Sequence, residues 1–325
     1  MTKSFTGDEN IVEKMLSVVI PVYNEDKIAV GIDRVVGVLE GAGIPWEIIL
    51  VDDGSVNDAW QQLEALAERY DGITAISFSR NFGKESALCA GLDHARGDCC
   101  VCLDADMQFP PEVIPEMYAL WRDQGYEVVV GVKKKRQNES MAYRFCSNLF
   151  YGTLKKLSGI DLKNGSDFRL LDRVVVDAWK TLPEKQTFFR GMSSWVGFKT
   201  TTLEFDVADR VEGKSKWTLK GLARLAINAV TSYSAVPLYV SAFMGVLFFL
   251  FAFVMGIQTL FMYVSGRAQS GFTTVILLLL IIGGIILLGL GVIGIYIKKI
   301  YEEVKGRPRY IIRRKITGSN SAMQG

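Results

Sequence analysis

Three short acidic segments, each placed just after an apolar run, give this chain its clearest means of doing chemistry. Asp104-Ala105-Asp106 follows Cys99–Leu103 and sets two carboxylates one residue apart. Such a pair repels unless a cation compensates it, and hard divalent ions such as Mg²⁺ or Mn²⁺ take carboxylate oxygens while keeping positions for substrate phosphates. Gln108 is the nearest further oxygen donor. Taken alone, such a pair is most often a solvated turn. Asp52-Asp53-Gly54-Ser55 closes a second predicted strand and precedes a helix whose N-terminus attracts phosphate. Pro21-Val22-Tyr23-Asn24-Glu25 closes the first. Acidic turns gathered at one edge of one sheet argue for a shared ligand site. Further along, Arg210, Lys214 and Lys216 stand beside an amphipathic stretch, which makes either a trap for a phosphate at a membrane surface or a solvated basic loop.

The elements that must carry these turns follow from periodicity. Val18–Val22, Glu47–Val51, Thr74–Phe78, Cys99–Leu103 and Glu127–Val130 are predicted strands, separated by helical patterns such as Trp60, Leu63, Leu66, Ala67 and Tyr70. Alternation of this kind predicts a mostly parallel α/β sheet covered by helices, with ligands bound beyond the strands' C-terminal ends. Pro111 suits the first position of a helix running to about Gln124.

Composition narrows the function. The 325 residues carry 37 Lys plus Arg against 35 Asp plus Glu, a net charge of +2 that argues against the strongly basic face of a nucleic-acid binder. His94 is the single histidine, so His-rich metal sites are excluded, and its place late in a helix makes it a surface or satisfied residue. Five cysteines, Cys89, Cys99, Cys100, Cys102 and Cys146, lack the density of a disulfide scaffold and read as small buried groups in a reducing compartment. The polar start, Met1 to Asn10, has no apolar core of a signal peptide.

A mean hydropathy of +0.20 reflects apolar runs near the end of the chain. Two predicted membrane spans, 238–263 and 272–297, would each be about 39 Å long as helices, enough to cross a hydrocarbon core of about 30 Å with some tilt. Their glycines, from Gly283 to Gly294, permit close helix approach and a homo-oligomer interface. Amphipathic stretches at 141–157 and 217–232 read as helices lying in the headgroup region or as ordinary surface helices. From Lys298 to Lys315 there are eight basic and two acidic residues, 8 − 2 = +6, which by the positive-inside rule predicts both termini in the cytoplasm. The resulting division is an N-terminal tail (1–15), a catalytic domain (16–216), a juxtamembrane helix (217–232), two spans and a basic cytoplasmic tail (298–325).

The ordered segments SVVIPVYNE, VDDGS, SRNFGKESALCAGL, GDCCVCLDADMQFPPE, DFRLLDR and RVEGKSKW resemble glycosyltransferase family 2. Within it they are similar to the polyisoprenyl-phosphate glycosyltransferases, the group of bactoprenol (undecaprenyl-phosphate) glucosyltransferases and dolichol-phosphate mannose synthase. The resemblance runs from about Leu16 to Lys299 and implies a nucleotide-sugar-binding GT-A fold, Rossmann-like, with a two-helix hairpin. By it, Pro21, Tyr23, Glu25, Val51 and Asp53 surround the nucleoside. Asp104, Ala105, Asp106 and Gln108 surround the diphosphate and its Mg²⁺ or Mn²⁺, and Arg210 and Lys216, with Lys214 and Ser215 between them, reach donor or acceptor phosphate. One departure is Gly131-Val132-Lys133-Lys134-Lys135-Arg136, where relatives commonly carry an arginine: Lys133 aligns there as a point charge without a planar fork, and Arg136 is the substitute. Asp167 matches a carboxylate that is either a base or an orienting group. Arg80-Asn81-Phe82-Gly83-Lys84 resembles the family's signature loop, read either as holding the donor or as a helix-entry loop.

The implied reaction is inverting transfer of a hexose from a nucleotide sugar to a polyprenyl phosphate at the cytoplasmic membrane face, with UDP-glucose the leading donor and a UDP-N-acetylhexosamine or GDP-mannose behind it. A processive polysaccharide synthase is the enzymatic rival, although the Gln-x-x-Arg-Trp motif of its familiar members is absent. A non-catalytic nucleotide-sugar-binding scaffold is the other, and would be expected to show eroded acidic turns.

Overall fold

The structure is a computed structural model that describes residues 14–133, 166–182, 197–205, 234–265 and 271–318, with Gly152, Phe189 and Val230. The chain divides into two compact units: Met1–Met141, Asp161–Gly213 and Arg307–Gly325 form one, and Ala142–Ile160 with Lys214–Gly306 the other.

The first unit is built on a sheet whose centre is parallel. β1 (Leu16–Val22) lies between β2 (Trp46–Asp52) and β4 (Cys99–Cys102), and β3 (Ile73–Phe78) extends the sheet beyond β2. Every residue of β1, β3 and β4 is buried, so these strands read as near-continuous apolar runs and not as alternations. Helices cover the faces. α1 (Ile28–Gly41) buries Ile28, Ile32, Val35, Val36 and Leu39, and α2 (Ala59–Arg69) buries the expected Trp60, Leu63, Leu66 and Ala67. α3 (Lys84–His94) is different: Ala87 through Leu92 are all buried, because small residues let it lie directly on β1. A Cβ on Gly91 would stand 2.1 Å from Cγ1 of Val19, so only glycine permits that approach. His94 Nδ1 lies 2.8 Å from the Ala90 carbonyl, a satisfied helix-end histidine.

Pro111 opens a short 3₁₀ turn, Pro111–Val113, that leads into α4 (Ile114–Gln124). β5 (Val128–Lys133) runs three residues further than the alternation predicts, because its end is paired through to Lys133 by β7 (Thr200–Phe205). β6 (Arg169–Asp172) is antiparallel to both β4 and β5, and Asp172 caps α5 (Arg173–Thr181) by accepting from the Val174 amide at 2.8 Å. The residues after Lys298 read from the sequence as a basic tail, and within them residues 312–317 form β8 (Ile312–Thr317), antiparallel to β3. It completes an eight-stranded sheet in the order β7-β5-β6-β4-β1-β2-β3-β8.

The second unit contains α6 (Val236–Val264) and α7 (Phe272–Val304), 29 and 33 residues, both long and apolar enough to cross a membrane. Each overruns its predicted span, α7 by carrying the helix on through Lys298–Val304. The Tyr296 hydroxyl donates to the Ser234 carbonyl at 2.6 Å. The amphipathic stretches 141–157 and 217–232 lie outside the described residues, apart from Gly152 and Val230.

Candidate active site

Parallel pairing puts the ends of β1, β2 and β4 at one edge of the sheet, and the three acidic turns stand there together. The β1 and β2 turns are tied: the Asn24 amide donates to Ser55 Oγ at 2.9 Å, and Asn24 Oδ1 accepts from the Val56 amide at 2.9 Å. Asn24 takes φ 51° and Met107 φ 49°, the non-glycine positive-φ residues among those described, and both sit in these turns. Left-handed backbone at non-glycine positions costs energy and concentrates at functional sites.

A cavity of about 330 Å³ opens between the turns, lined by Pro21, Val22, Tyr23, Glu25, Asp53, Asn81, Gly83, Lys84, Asp104, Ala105 and Asp106. Seven of the residues singled out in the sequence therefore meet in one space: Pro21, Tyr23, Glu25, Asp53, Asp104, Ala105 and Asp106. Val51 does not reach it; it is fully buried in β2, one step behind the turn. Gln108 and Lys133 approach one another, Nζ to Oε1 at 3.5 Å, with the Lys133 ammonium also 4.6 Å from the Phe109 ring centroid. Arg136, Arg210, Lys214, Ser215 and Lys216 lie outside the described residues.

Asp53 is almost wholly buried, and its carboxylate accepts from the backbone amides of Phe82 at 2.6 Å and Gly83 at 2.9 Å. Burial raises its pKa, and these two amides pull it part of the way back. Its visible role is thus to pin the 79–83 loop, a contact that the acidic turn alone does not foretell. Asp52 does similar work inside the sheet, accepting from Ser77 Oγ at 2.7 Å and the Ser55 amide at 2.9 Å.

The loop so pinned delivers a residue that composition does not flag. Lys84, at the start of α3, places Nζ 2.6 Å from Asp104 Oδ1 and 2.7 Å from Asp167 Oδ2. One ammonium thereby joins the Asp-x-Asp turn to Asp167, which stands just before β6 and is 7% exposed. Burial opposes the charge on Lys84, but the two carboxylates outweigh it and raise its pKa. Burial raises Asp104, with Lys84 the main opposing influence. Only the likeness of Ser79–Leu92 to a family segment pointed to this lysine.

Among the described residues no three His, Cys, Asp or Glu side chains gather closely enough to hold a metal by themselves. The donor set still suits a hard cation, since Mg²⁺-type sites commonly rest on one or two carboxylates and take the rest of their oxygens from water and substrate phosphate. Asp106 is the better placed of the two: no basic side chain pairs with it among the described residues, while Asp104 already shares Lys84.

Residues 17–176 match glycosyl transferase family 2, and the chain is 38% identical over 310 residues to the SfII prophage-derived bactoprenol glucosyl transferase of Shigella flexneri, covering 94% of this chain and 99% of that one. The chain belongs to glycosyl transferase family 2. An uncharacterized glycosyltransferase of Synechocystis sp. is also 38% identical, over 91% of this family 2 chain and 94% of its own. Among solved structures, glucosyl-3-phosphoglycerate synthase from Mycobacterium tuberculosis with phosphoglyceric acid overlaps 68% of this chain and 80% of its own, at a TM-score of 0.47 and 22% identity. As a family 2 member the protein is a glycosyltransferase, and its mixed sheet is the GT-A-like core expected of one.

Proposed function

We propose that this glycosyltransferase moves a hexose from a nucleotide sugar to a polyprenyl phosphate at a membrane surface, with glucose from UDP-glucose the leading donor. The observation that carries the reading is the acidic cavity at the strand ends, where Asp104 and Asp106 face a space of about 330 Å³ and Lys84 ties Asp104 to Asp167. The acceptor class rests on relatives named bactoprenol glucosyl transferase that match over more than nine-tenths of both chains.

Asp106 and Asp104 would hold a Mg²⁺ or Mn²⁺ ion, which supplies charge stabilisation to the departing diphosphate. The chain's own groups do the rest. Pro21, Tyr23 and Glu25 offer an aromatic ring and a carboxylate at the β1 end for the nucleoside, and Asn81 and Gly83 of the 79–83 loop line the same cavity. An acceptor phosphate is already anionic near neutral pH, so it needs orientation and partial desolvation more than deprotonation. Asp167 then serves best as an orienting carboxylate, paired with the Lys84 ammonium. Arg210, Lys214, Ser215 and Lys216 are assigned to phosphate oxygens on family resemblance.

Sheet topology supports a hairpin reading of the apolar helices. β8 follows α6 and α7 in sequence but pairs with β3, which precedes them, so a crossing by α6 requires a return crossing by α7. The residues on either side of the pair then share one face of the membrane, the cytoplasmic one by the charge of the tail.

The test is incubation of membranes carrying the protein with undecaprenyl phosphate and labelled UDP-glucose, UDP-N-acetylglucosamine or GDP-mannose, followed by lipid extraction. A single sugar on lipid is expected, from UDP-glucose first, and lost in Asp106→Ala. That loss corresponds to a barrier rise on the order of 3 kcal/mol or more. Polymeric product would favour a processive synthase, and near-normal metal-dependent transfer by Asp106→Ala would refute the assignment.

A further inference from the structure

The segment that leads out of α7 and into β8 is built against the cavity's loop, and we propose that Tyr310 is a positioning residue for nucleotide binding. The inference rests on reading the cavity as the donor pocket. Tyr310 is half-buried on Phe78, the last residue of β3, with ring centroids 5.1 Å apart and planes 13° from parallel. Its hydroxyl donates to Asp93 Oδ2 on α3 at 2.8 Å. The next residue's carbonyl, that of Ile311, accepts from the Ser79 amide at 3.0 Å. One short stretch therefore grips the strand that enters the loop and the helix that leaves it.

The grip reaches the lining residues through two contacts. Phe78 meets Phe82 edge to face, centroids 5.7 Å apart, and Arg80 lies over the Phe82 ring at 4.3 Å. The amides of Phe82 and Gly83 are fixed from the other side by Asp53. The loop is thus held between Asp53 within the cavity and Tyr310 behind it, and what it presents to the cavity is Asn81, Gly83 and Lys84. A strand that merely closed the sheet edge would need the β3 ladder and no aromatic stack or hydroxyl bond beyond its end. Loosening the rear contact leaves every cavity side chain in place chemically but lets the loop sample more conformations, so nucleotide affinity falls by the cost of ordering it again.

The test uses full-length protein in detergent, with Tyr310→Ala removing stack and hydroxyl and Tyr310→Phe removing the hydroxyl alone. UDP and GDP are the binding probes. Loss of an aromatic pair and a hydrogen bond predicts that Tyr310→Ala weakens nucleotide binding, and raises donor KM, about five- to tenfold, with kcat within about twofold, while Tyr310→Phe gives about two- to threefold. Hydrogen exchange should quicken at residues 79–83 in both variants. Should Tyr310→Ala fold poorly, Tyr310→Phe and the exchange data still decide. Unchanged nucleotide affinity together with unchanged exchange at 79–83 would overturn the proposal while leaving the donor pocket standing. Failure of the unsubstituted chain to bind either nucleotide would refute the pocket reading, and this inference with it.

Discussion

Replacing Lys84 with methionine removes the ammonium that Asp104 and Asp167 share while keeping most of the side chain's length. The two acceptor oxygens lie 2.6 and 2.7 Å from Nζ, so they are no more than 5.3 Å apart (2.6 plus 2.7 Å). At that separation two unit charges repel by about 3 kcal/mol at an effective dielectric constant of about 20. The side chains of Lys84 and Asp104 retain 42% and 25% exposure, and screening reduces the net effect to about 1–2 kcal/mol. The Asp104 carboxyl is already raised by burial, and Lys84 is what restrains it. Without Lys84 the folded-state pKa rises further above its unfolded value. The charged form is then the penalised one, so the stability deficit is greatest at neutral and alkaline pH and shrinks as pH falls through the raised value. Purified Lys84→Met should melt about 3–6 °C lower at neutral pH, and the acid limb of its transfer rate should move to higher pH. Lys84→Arg should recover most of both. An unchanged melting temperature at neutral pH with an unmoved acid limb would refute the idea that one cation serves two carboxylates.

Other perturbations probe the scaffold. Gly54 holds φ +69°, and a Cβ there would stand 2.5 Å from the Arg80 carbonyl carbon, so Gly54→Ala should lose on the order of 2–4 kcal/mol in denaturant unfolding and disturb the same loop. Cys89, Cys99, Cys100 and Cys102 are buried, and burial pushes the Cys100 thiol up to about 11. A thiol reagent followed by peptide mapping should leave these four unlabelled in the native protein and label all of them in denaturant; native labelling at Cys100 would contradict the packing of β4.

The parallel centre of the sheet was open to reading because burial on both faces leaves near-unbroken apolar runs, and because each run ends in a turn of Gly, Asp or Asn. The acidic turns could be assigned to one edge for the same reason: consecutive parallel strands bring their C-terminal ends together. What stayed hidden depends on distant partners. Ile312 to Thr317 carry Arg313, Arg314 and Lys315, so local pattern gives a charged tail, and only its partner β3, with Thr74 set opposite Thr317, makes it a strand. Likewise Asp53 shows its type but not that its oxygens are taken by loop amides. Lys84 and Asp167 are 83 positions apart, and no spacing rule joins them.

The same late strand bears on how the enzyme can be made and handled. Cutting the chain ahead of Val236 to obtain a soluble catalytic piece would strip β8 away and bare the flank of β3 from Thr74 to Phe78, an apolar edge of the kind that recruits strands from other molecules. During synthesis, too, β3 must wait for a partner made after both apolar helices. Completion of the sheet is then a report that both apolar helices have been built, and an expression strategy that keeps residues 307–318 joined to the sheet respects the order in which this protein finishes itself.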